Sequence, residues 1–577
     1  MKRLVSFVAL LVTVPLFSQD WPQWGLNAKH TGQISTVGQA LNQNLVNIVY
    51  DPLVPDEVAA AGGDLLAHYQ APLVDGNNVY MMYKDGVYQN VNYSTQKWGE
   101  TKYTWQGGTL VTQWQFLSDW DAPGSAQDFW EPVFHPALAN GFLYVPGTGG
   151  SVFKVNKSTG LAVTRLNPFP TDTGGTTNTI YVASPITVDG SGNLFYNAVQ
   201  FHNATEIFHN DVVDSWLVKI TPGGTISKVS YSVLTAGAPL GTDQCVNAFP
   251  TNADGTLING PWPPSPTAVP GTVTCGTQRP GINVAPAVAS NGTIYTVSRA
   301  HLISREGFLI AVNPNLTQKW LRSLRNRFND GCGVSVAAGG TLPPNGSPGG
   351  CRAGANFGVD PATNAPGGGR VLDDSSSSPV IASDGSILYG SYTRYNYAQG
   401  HLMHFAANGN YLGAYKFGWD VTPGIRGSSI VTKDNHYGET GSYCNDPAFC
   451  PDDNSDRGTR YPEAYFITQL DNNLNVQWTY QNTNTQSCTR QPDGSVTCVS
   501  DHPNGFEWCV NAFVIDASGN VYANSEDGNL FKIPQGAAGV TRIFQQLALG
   551  AAYTPTSMDL TGKIYSQNAG HLFVVGN

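Results

Sequence analysis

One phrase restarts eight times along this chain: a small residue or proline, a short apolar run, a tight Gly/Asn turn, and an apolar-aromatic run. It reads APLVDGNNVYMM from Ala71, HPALANGFLYV from His135 and SPITVDGSGNLFYNAV from Ser184. It returns as APAVASNGTIYTV from Ala285, SPVIASDGSILYGSY from Ser378 and SSIVTKDNHYGETGS from Ser428. The last two starts are NAFVIDASGNVYANS from Asn511 and TPTSMDLTGKIYSQ from Thr554. A unit of this kind cannot bury its own hydrophobic face, so the period predicts stacked repeats sharing one core.

The unit from Ser378 shows the internal plan. SPVIA is an apolar strand, Ser383-Asp384-Gly385 a turn, and Ile387 to Tyr392 a second strand. HLMHFA is a third strand, Asn408-Gly409-Asn410 a second turn, and YLGAYKF a fourth. Asp-Gly and Asn-Gly pairs supply the positive φ that tight hairpins need. Four antiparallel strands in about 40 residues make one propeller blade. The expected fold is therefore all-β, an eight-bladed β-propeller with four antiparallel strands per blade. Seven blades is the alternative if the irregular first unit is not counted. The last unit runs out after three strands, and NLVNIVYDPL from Asn44 is placed to supply the fourth. Closing the ring with an N-terminal strand removes the open edges of the sheet. Trp320 and Trp478, at equivalent places on fourth strands, read as wedges between blades.

The totals agree with this plan. The 577 residues include 64 Gly and 37 Pro, and only 12% are charged, as a turn-rich all-β chain requires. No sustained helical periodicity is present, so almost no helix is expected. Lys2 and Arg3 precede an apolar stretch from Leu4 to Phe17, the pattern of a secretory leader over residues 1–18. Residues 19–577 are then expected as a single propeller domain, exported to a periplasmic or extracellular space, with no membrane span and monomeric. Without the leader the formal charge moves from -11 to -13, which disfavours nucleic acid as a partner. Nine cysteines suit an oxidising compartment. Eight of them, Cys245, Cys275, Cys332, Cys351, Cys444, Cys450, Cys488 and Cys498, are candidates for disulfides. Pairing Cys332 with Cys351 and Cys444 with Cys450 is the simplest arrangement, Cys509 completes the odd count, and spacing leaves the connectivity open.

These phrases resemble the PQQ-like repeat propellers of the quinoprotein alcohol dehydrogenase-like superfamily. The likeness rests on KVNKSTGLAVTRL, AVNPNLTQKWL and the lead-in DWPQWGLNAKHTG from Asp20. It implies the fold more strongly than an activity. Members with dehydrogenase activity hold a Ca²⁺-bound quinone with Glu, Asn and Asp ligands, an Asp base, a Trp and often adjacent cysteines. No adjacent cysteine pair and no Cys-x-x-Cys-His occurs here, and the candidate acids Glu206, Asp211, Asp214, Glu306, Asp373, Asp374 and Glu507 match no family motif.

Function is expected on one face. Strand 2–3 loops and blade-to-blade connections are the long ones, and in an up-and-down sheet they emerge together. On that face Arg299, His301, Arg305, Tyr392, Arg394 and Tyr397, with His202 and His209, suit recognition of carboxylates or carbohydrate. Asp452, Asn454, Asp456 and Glu463 copy the ligand order of a calcium loop, with Arg457 where Gly is expected. His135, Ser184, Ser378 and Asn511 begin innermost strands and are expected along the channel. The resulting expectation is an exported, non-catalytic binding or scaffold propeller whose partner, a protein or a glycan, docks on the long-loop face. No catalytic residue and no cofactor is assigned, with Ca²⁺ the one ion the spacing suggests. The alternatives are a PQQ- and Ca²⁺-dependent dehydrogenase of alcohols or sugars and an outer-membrane assembly scaffold.

Overall fold

The computed structural model describes residues 20–125, 131–170, 179–246, 271–325, 327, 359–360, 365–366, 369–392, 400–415, 418–436, 464–491, 493–550 and 554–577. They form an eight-bladed β-propeller of antiparallel sheets, each four strands deep. Blades 1 to 7 span 73–117, 137–166, 180–230, 278–323, 380–415, 424–481 and 514–544, and blade 8 spans 557–576. The innermost strand is split in blades 3 and 4, where two short pieces pair with one second strand. Blade 8 is completed by Gln43–Val49, which pairs antiparallel with His571–Gly576. The ring thus closes through its two chain ends, as the incomplete last unit requires. Helix is confined, among the described residues, to Val54–Ala60, Tyr231–Leu234 and one short 3₁₀ turn.

Turn chemistry explains why each blade folds locally. In DGSGN, the Asp189 carboxylate accepts the N–H groups of Ser191 and Asn193, each at 2.9 Å. Asp516 does the same for Ser518 and Asn520, and Asp559 for Thr561 and Lys563. An Asp that satisfies its own turn backbone fixes the hairpin without tertiary help. Between blades, Trp320 fills the wedge, packing on Tyr295 and donating to the Ala407 carbonyl of blade 5 at 3.0 Å. One start is corrected. In the sixth unit, Ser428 opens the turn into the second strand, and the innermost strand is Gly424–Arg426. The phrase there begins at Thr422-Pro423. Glycine replaces the usual apolar residue, so the stronger apolar run of strand 2 masks the true start.

The N-terminal segment from Asp20 to Gln39 winds once around the channel at the end where the short turns lie. Val74, Leu138, Val288, Ile381, Ile425 and Ile515 donate their N–H groups to the carbonyls of Trp21, Pro22, Ala28, Lys29, Thr31 and Gly32. Val188 donates to the side-chain oxygen of Gln23. These seven donors hold equivalent places on the innermost strands of blades 1 to 7, at 2.6 to 3.1 Å from their acceptors. Asp20 and Gln39 complete the circuit on blade 8, through the Leu560 N–H and the Gly562 carbonyl. An innermost strand has no neighbour on its channel side, so this girdle supplies acceptors that buried N–H groups need. Left-handed backbone at Gly25, Leu26, His30 and Gly32 lets so short a segment turn so sharply.

Lys84 anchors the next stretch of chain to the ring. Its buried ammonium meets Asp51 at 3.0 Å, Glu131 at 2.7 Å and Glu57. Tyr69 donates to Asp51 and Trp98 to Glu131, so two of the carboxylates around Lys84 are held by further hydrogen bonds. Burial holds the Glu57 carboxyl up at about 8 despite Lys84, with Asp51 and Glu131 adding to the rise.

Gly32 gives a direct test of the girdle. A Cβ there would stand 2.3 Å from the Phe513 carbonyl oxygen, on backbone at φ +65°. Gly32→Ala is expected to lower stability by more than the roughly 1–2 kcal/mol that left-handed backbone alone costs. Gly107→Ala, also at positive φ but in open space, should cost about that amount and no more. Thermal unfolding of the two variants compares them.

Candidate functional site

The girdle decides which end of the channel is open. Trp24 turns inward, donates its indole N–H to the Thr422 hydroxyl at 3.3 Å, and packs on Ala285, Ala512 and the His135 ring. It therefore reaches blades 2, 4, 6 and 7 at once and stops the channel from the turn side. His30 adds contacts to the Pro379 carbonyl and the Thr187 hydroxyl, and burial lowers its pKa to about 4. Of the four channel positions expected, Ser378 accepts the Ala285 N–H of the neighbouring blade, the His135 ring packs on Trp24, and Asn511 gives its backbone carbonyl to the Thr422 N–H. Ser184 turns back to accept the Asn197 N–H of its own blade. Outside the girdle, an open cavity of about 1200 Å³ lies among the turns of blades 2 to 4, with Asn27, Lys29, Asn140, Asn193, Lys219 and Asn291 on its walls.

Charged side chains gather at the opposite, long-loop mouth. In one half, Asp373 receives a two-pronged bond from Arg279, at 2.8 and 2.6 Å, and a third from Arg299 at 3.0 Å. Both guanidinium groups hold its carboxyl well below the usual carboxylate range, overcoming burial. His301 accepts from Arg279 at 2.9 Å and meets the Ile207 and Asn210 carbonyls with its other nitrogen. Burial and the two arginines lower its pKa to about 3, so it stays neutral.

In the other half, Asp420 lies 3.4 Å from Lys433 and accepts the Ser376 N–H. Asn435 donates to Glu507, and the Glu526 N–H donates to the Glu507 carbonyl. Asp374 is half-buried in the mouth, and burial, with Asp420 and Asp373 beside it, raises its pKa to about 7. Burial and the charges of Glu507 and Asp64 raise Glu526 well above the ordinary range. His68, just ahead of blade 1, reaches the Glu131 carbonyl at 2.6 Å, and burial lowers its pKa to about 3.

The sequence-derived candidates divide accordingly. Arg299 and His301 come together, but as buried partners of Asp373 and of backbone carbonyls. Arg305 is buried, and Tyr392 packs on Trp419 with Arg370 over its ring. His202 and His209 are exposed, while their neighbours Ile207, Phe208 and Asn210 pack on His301. Arg394, Tyr397 and the calcium-loop residues Asp452, Asn454, Asp456 and Glu463 lie outside the described residues. Among the acids, Asp211 holds Thr277, Asp214 accepts from Ser230, and Glu306 pairs with Arg325. His68, Arg279, Ser376, Asp420 and Lys433 were missed. Their one sequence signal is that His68, Ser376 and Asp420 lie just before innermost strands.

Among the described residues two disulfides are formed, Cys245–Cys275 and Cys488–Cys498. Cys332, Cys351, Cys444 and Cys450 lie outside the described residues. Cys509 is a buried free thiol whose pKa burial raises. Disulfides are the chemistry of an oxidising compartment. Among the described residues no helix is long and apolar enough to cross a membrane. Nor do three His, Cys, Asp or Glu side chains among them converge to hold a metal ion.

No family model and no curated protein matches the sequence. Among solved structures the chain is similar to a europium-containing methanol dehydrogenase, at 9% identity and a TM-score of 0.49, over 95% of this chain and 89% of that one. It is similar to the quinohemoprotein alcohol dehydrogenase of Comamonas testosteroni at 10% identity and a TM-score of 0.48, over 97% and 81%. A third likeness is to BamB of Moraxella catarrhalis, at 8% identity and a TM-score of 0.38, over 93% and 99%. At these scores the likenesses say nothing about activity.

Two measurements follow from the mouth. Arg279→Lys replaces a buried fork with a point charge, so it should cost roughly 3 kcal/mol, comparable to breaking a buried pair. Denaturant unfolding checks it. The raised carboxyls give a pH dependence of fixed sign. Glu57 (about 8), Asp374 (about 7) and Asp434 (about 7) take up protons on folding. Their contribution is full below the unfolded carboxylate range and is lost as pH rises through 7 to 8. The urea midpoint is expected to be lower at about pH 8.5 than at about pH 5.5. Glu57→Gln should reduce that difference.

Proposed function

We propose that this chain is an exported binding propeller, without catalysis of its own, whose partner docks on the long-loop face. The observation that carries this reading is the Trp24 stopper held by the girdle. It closes the channel from the turn side and leaves the long-loop mouth as the approach to the axis. The Arg279–Asp373–Arg299 cluster supports it, since charge spent on internal pairs organises loop bases instead of waiting for a substrate. Disulfide-held excursions such as Cys488–Cys498, set on a rigid ring, suit recognition by shape and surface. The partner class is a protein or a glycan of the cell envelope or the extracellular space, and the two disulfides favour such a location.

The test sets this reading against quinone-dependent oxidation. Mature protein incubated with PQQ and Ca²⁺ is expected to lose the quinone absorbance on gel filtration and to reduce no dye with alcohols or sugars. The same protein, immobilised, should retain a specific envelope protein or a glycan. Retained quinone together with dye reduction would sink the binding reading.

A further inference from the structure

We propose that the Cys488–Cys498 disulfide is a reversible modification site, opened by a separate dithiol, and that its state sets the order of the hairpin it spans. This goes beyond the binding reading above and stands whether or not a partner docks on the long-loop face.

The hairpin lies between blades 6 and 7. Its strands, Gln486–Arg490 and Val496–Ser500, pair only with each other. Cys488 stands opposite Cys498 at the middle position, with Gln486–Ser500 and Arg490–Val496 as the outer pairs. None of the residues on either strand is buried, and Val496, Cys498 and Val499 are exposed. The other ties are polar and open to water. Ser487 donates to Asp501 at 2.6 Å, and Gln491 donates to the Thr497 hydroxyl at 2.9 Å. Arg490 leans over the Phe544 ring of blade 7 at 5.4 Å. A two-stranded hairpin without a buried face is marginal in water, so the covalent link is what keeps these strands in register.

The Cys245–Cys275 disulfide shows the contrast. Its cysteines are 3% and 0% exposed and pack with Ala300 and Ile303. A thiolate must reach a sulfur to attack it, so burial shields this pair and exposure opens the other. Exposed disulfides are characteristically the labile and regulatory ones. Cys509 is no attacking group, since it is buried and burial raises its pKa. The reductant is a second molecule with two thiols, the chemistry of a Cys-x-x-Cys oxidoreductase. One of its thiolates attacks the Cys498 sulfur, forming a mixed disulfide and releasing Cys488 as a thiolate. Its second thiolate then displaces Cys498 and closes the dithiol's own disulfide. Two electrons pass to the hairpin, and the two protons lost by the dithiol end on Cys488 and Cys498.

Dithiothreitol added to the native mature protein tests the site, with thiols trapped by N-ethylmaleimide and assigned by peptide mass spectrometry. Cys488 and Cys498 should be labelled together, at least about a hundredfold faster than Cys245 and Cys275. Exchange into oxidised glutathione should restore the bond. Trypsin cleavage after Arg490 reads the order of the hairpin, and reduction should speed it at least about tenfold. The double variant Cys488→Ser, Cys498→Ser should be cut at the reduced rate with no reductant present. Thermal unfolding shows whether its ring is intact, and reduced wild-type protein gives the same readout without any substitution. Labelling of all four cysteines at one common rate would overturn the proposal. Selective reduction that leaves cleavage after Arg490 unchanged would overturn it as well.

Discussion

Seven backbone N–H groups, one from each of the first seven blades, depend on a single short segment for their acceptors. The innermost strand of a propeller blade is an edge turned toward the axis, and an unpaired donor buried there costs free energy comparable to a lost hydrogen bond. Asp20 to Gln39 meets this need by visiting the blades in their chain order, and Gln43–Val49 then completes the eighth sheet. Ring closure and channel closure are therefore one event. The same segment carries Trp24, so the residue that stops the channel is positioned by the bonds that hold the ring.

That arrangement gives the two faces different work. On the turn side, Asp-centred turns satisfy themselves and the girdle satisfies the strands. On the loop side, side chains do the joining. Arg279 and Arg299 bind Asp373 across the approach to blade 5, and His68 meets the Glu131 carbonyl ahead of blade 2. Buried charge of this sort is weak evidence for stability but fixes geometry firmly, because a broken pair leaves an uncompensated ion. Burial and neighbouring carboxylates hold Asp374 and Glu526 above their ordinary range.

Much of the ring was legible beforehand because its causes are local. The hairpin turns, the apolar second strands, the wedge at Trp320 and the three-stranded last unit each show within a few residues. The sixth unit was misplaced where a glycine-containing innermost strand, Gly424–Arg426, carries too little apolar signal to be seen beside Ser429–His436. Arg299 and His301 were singled out for their residue types, yet type does not tell an open rim from an internal pair. The partner that decides the matter, Asp373, lies 74 residues from Arg299. Lys433 and Asn435 were overlooked because, within one strand, they read as ordinary alternation.

The amino-acid order by itself determined the blade, its turns, the number of repeats and the terminal strand that completes the eighth. These follow from strand period and turn chemistry, which act over short stretches of chain. Only the tertiary structure decided what stands at the axis: Trp24 as stopper, and Arg279 and Arg299 closed on Asp373 at the opposite mouth. Those groups are brought together by ring closure between positions as far apart as Trp24 and Thr422. No local pattern encodes such a meeting, because each residue's neighbours at the axis belong to other blades.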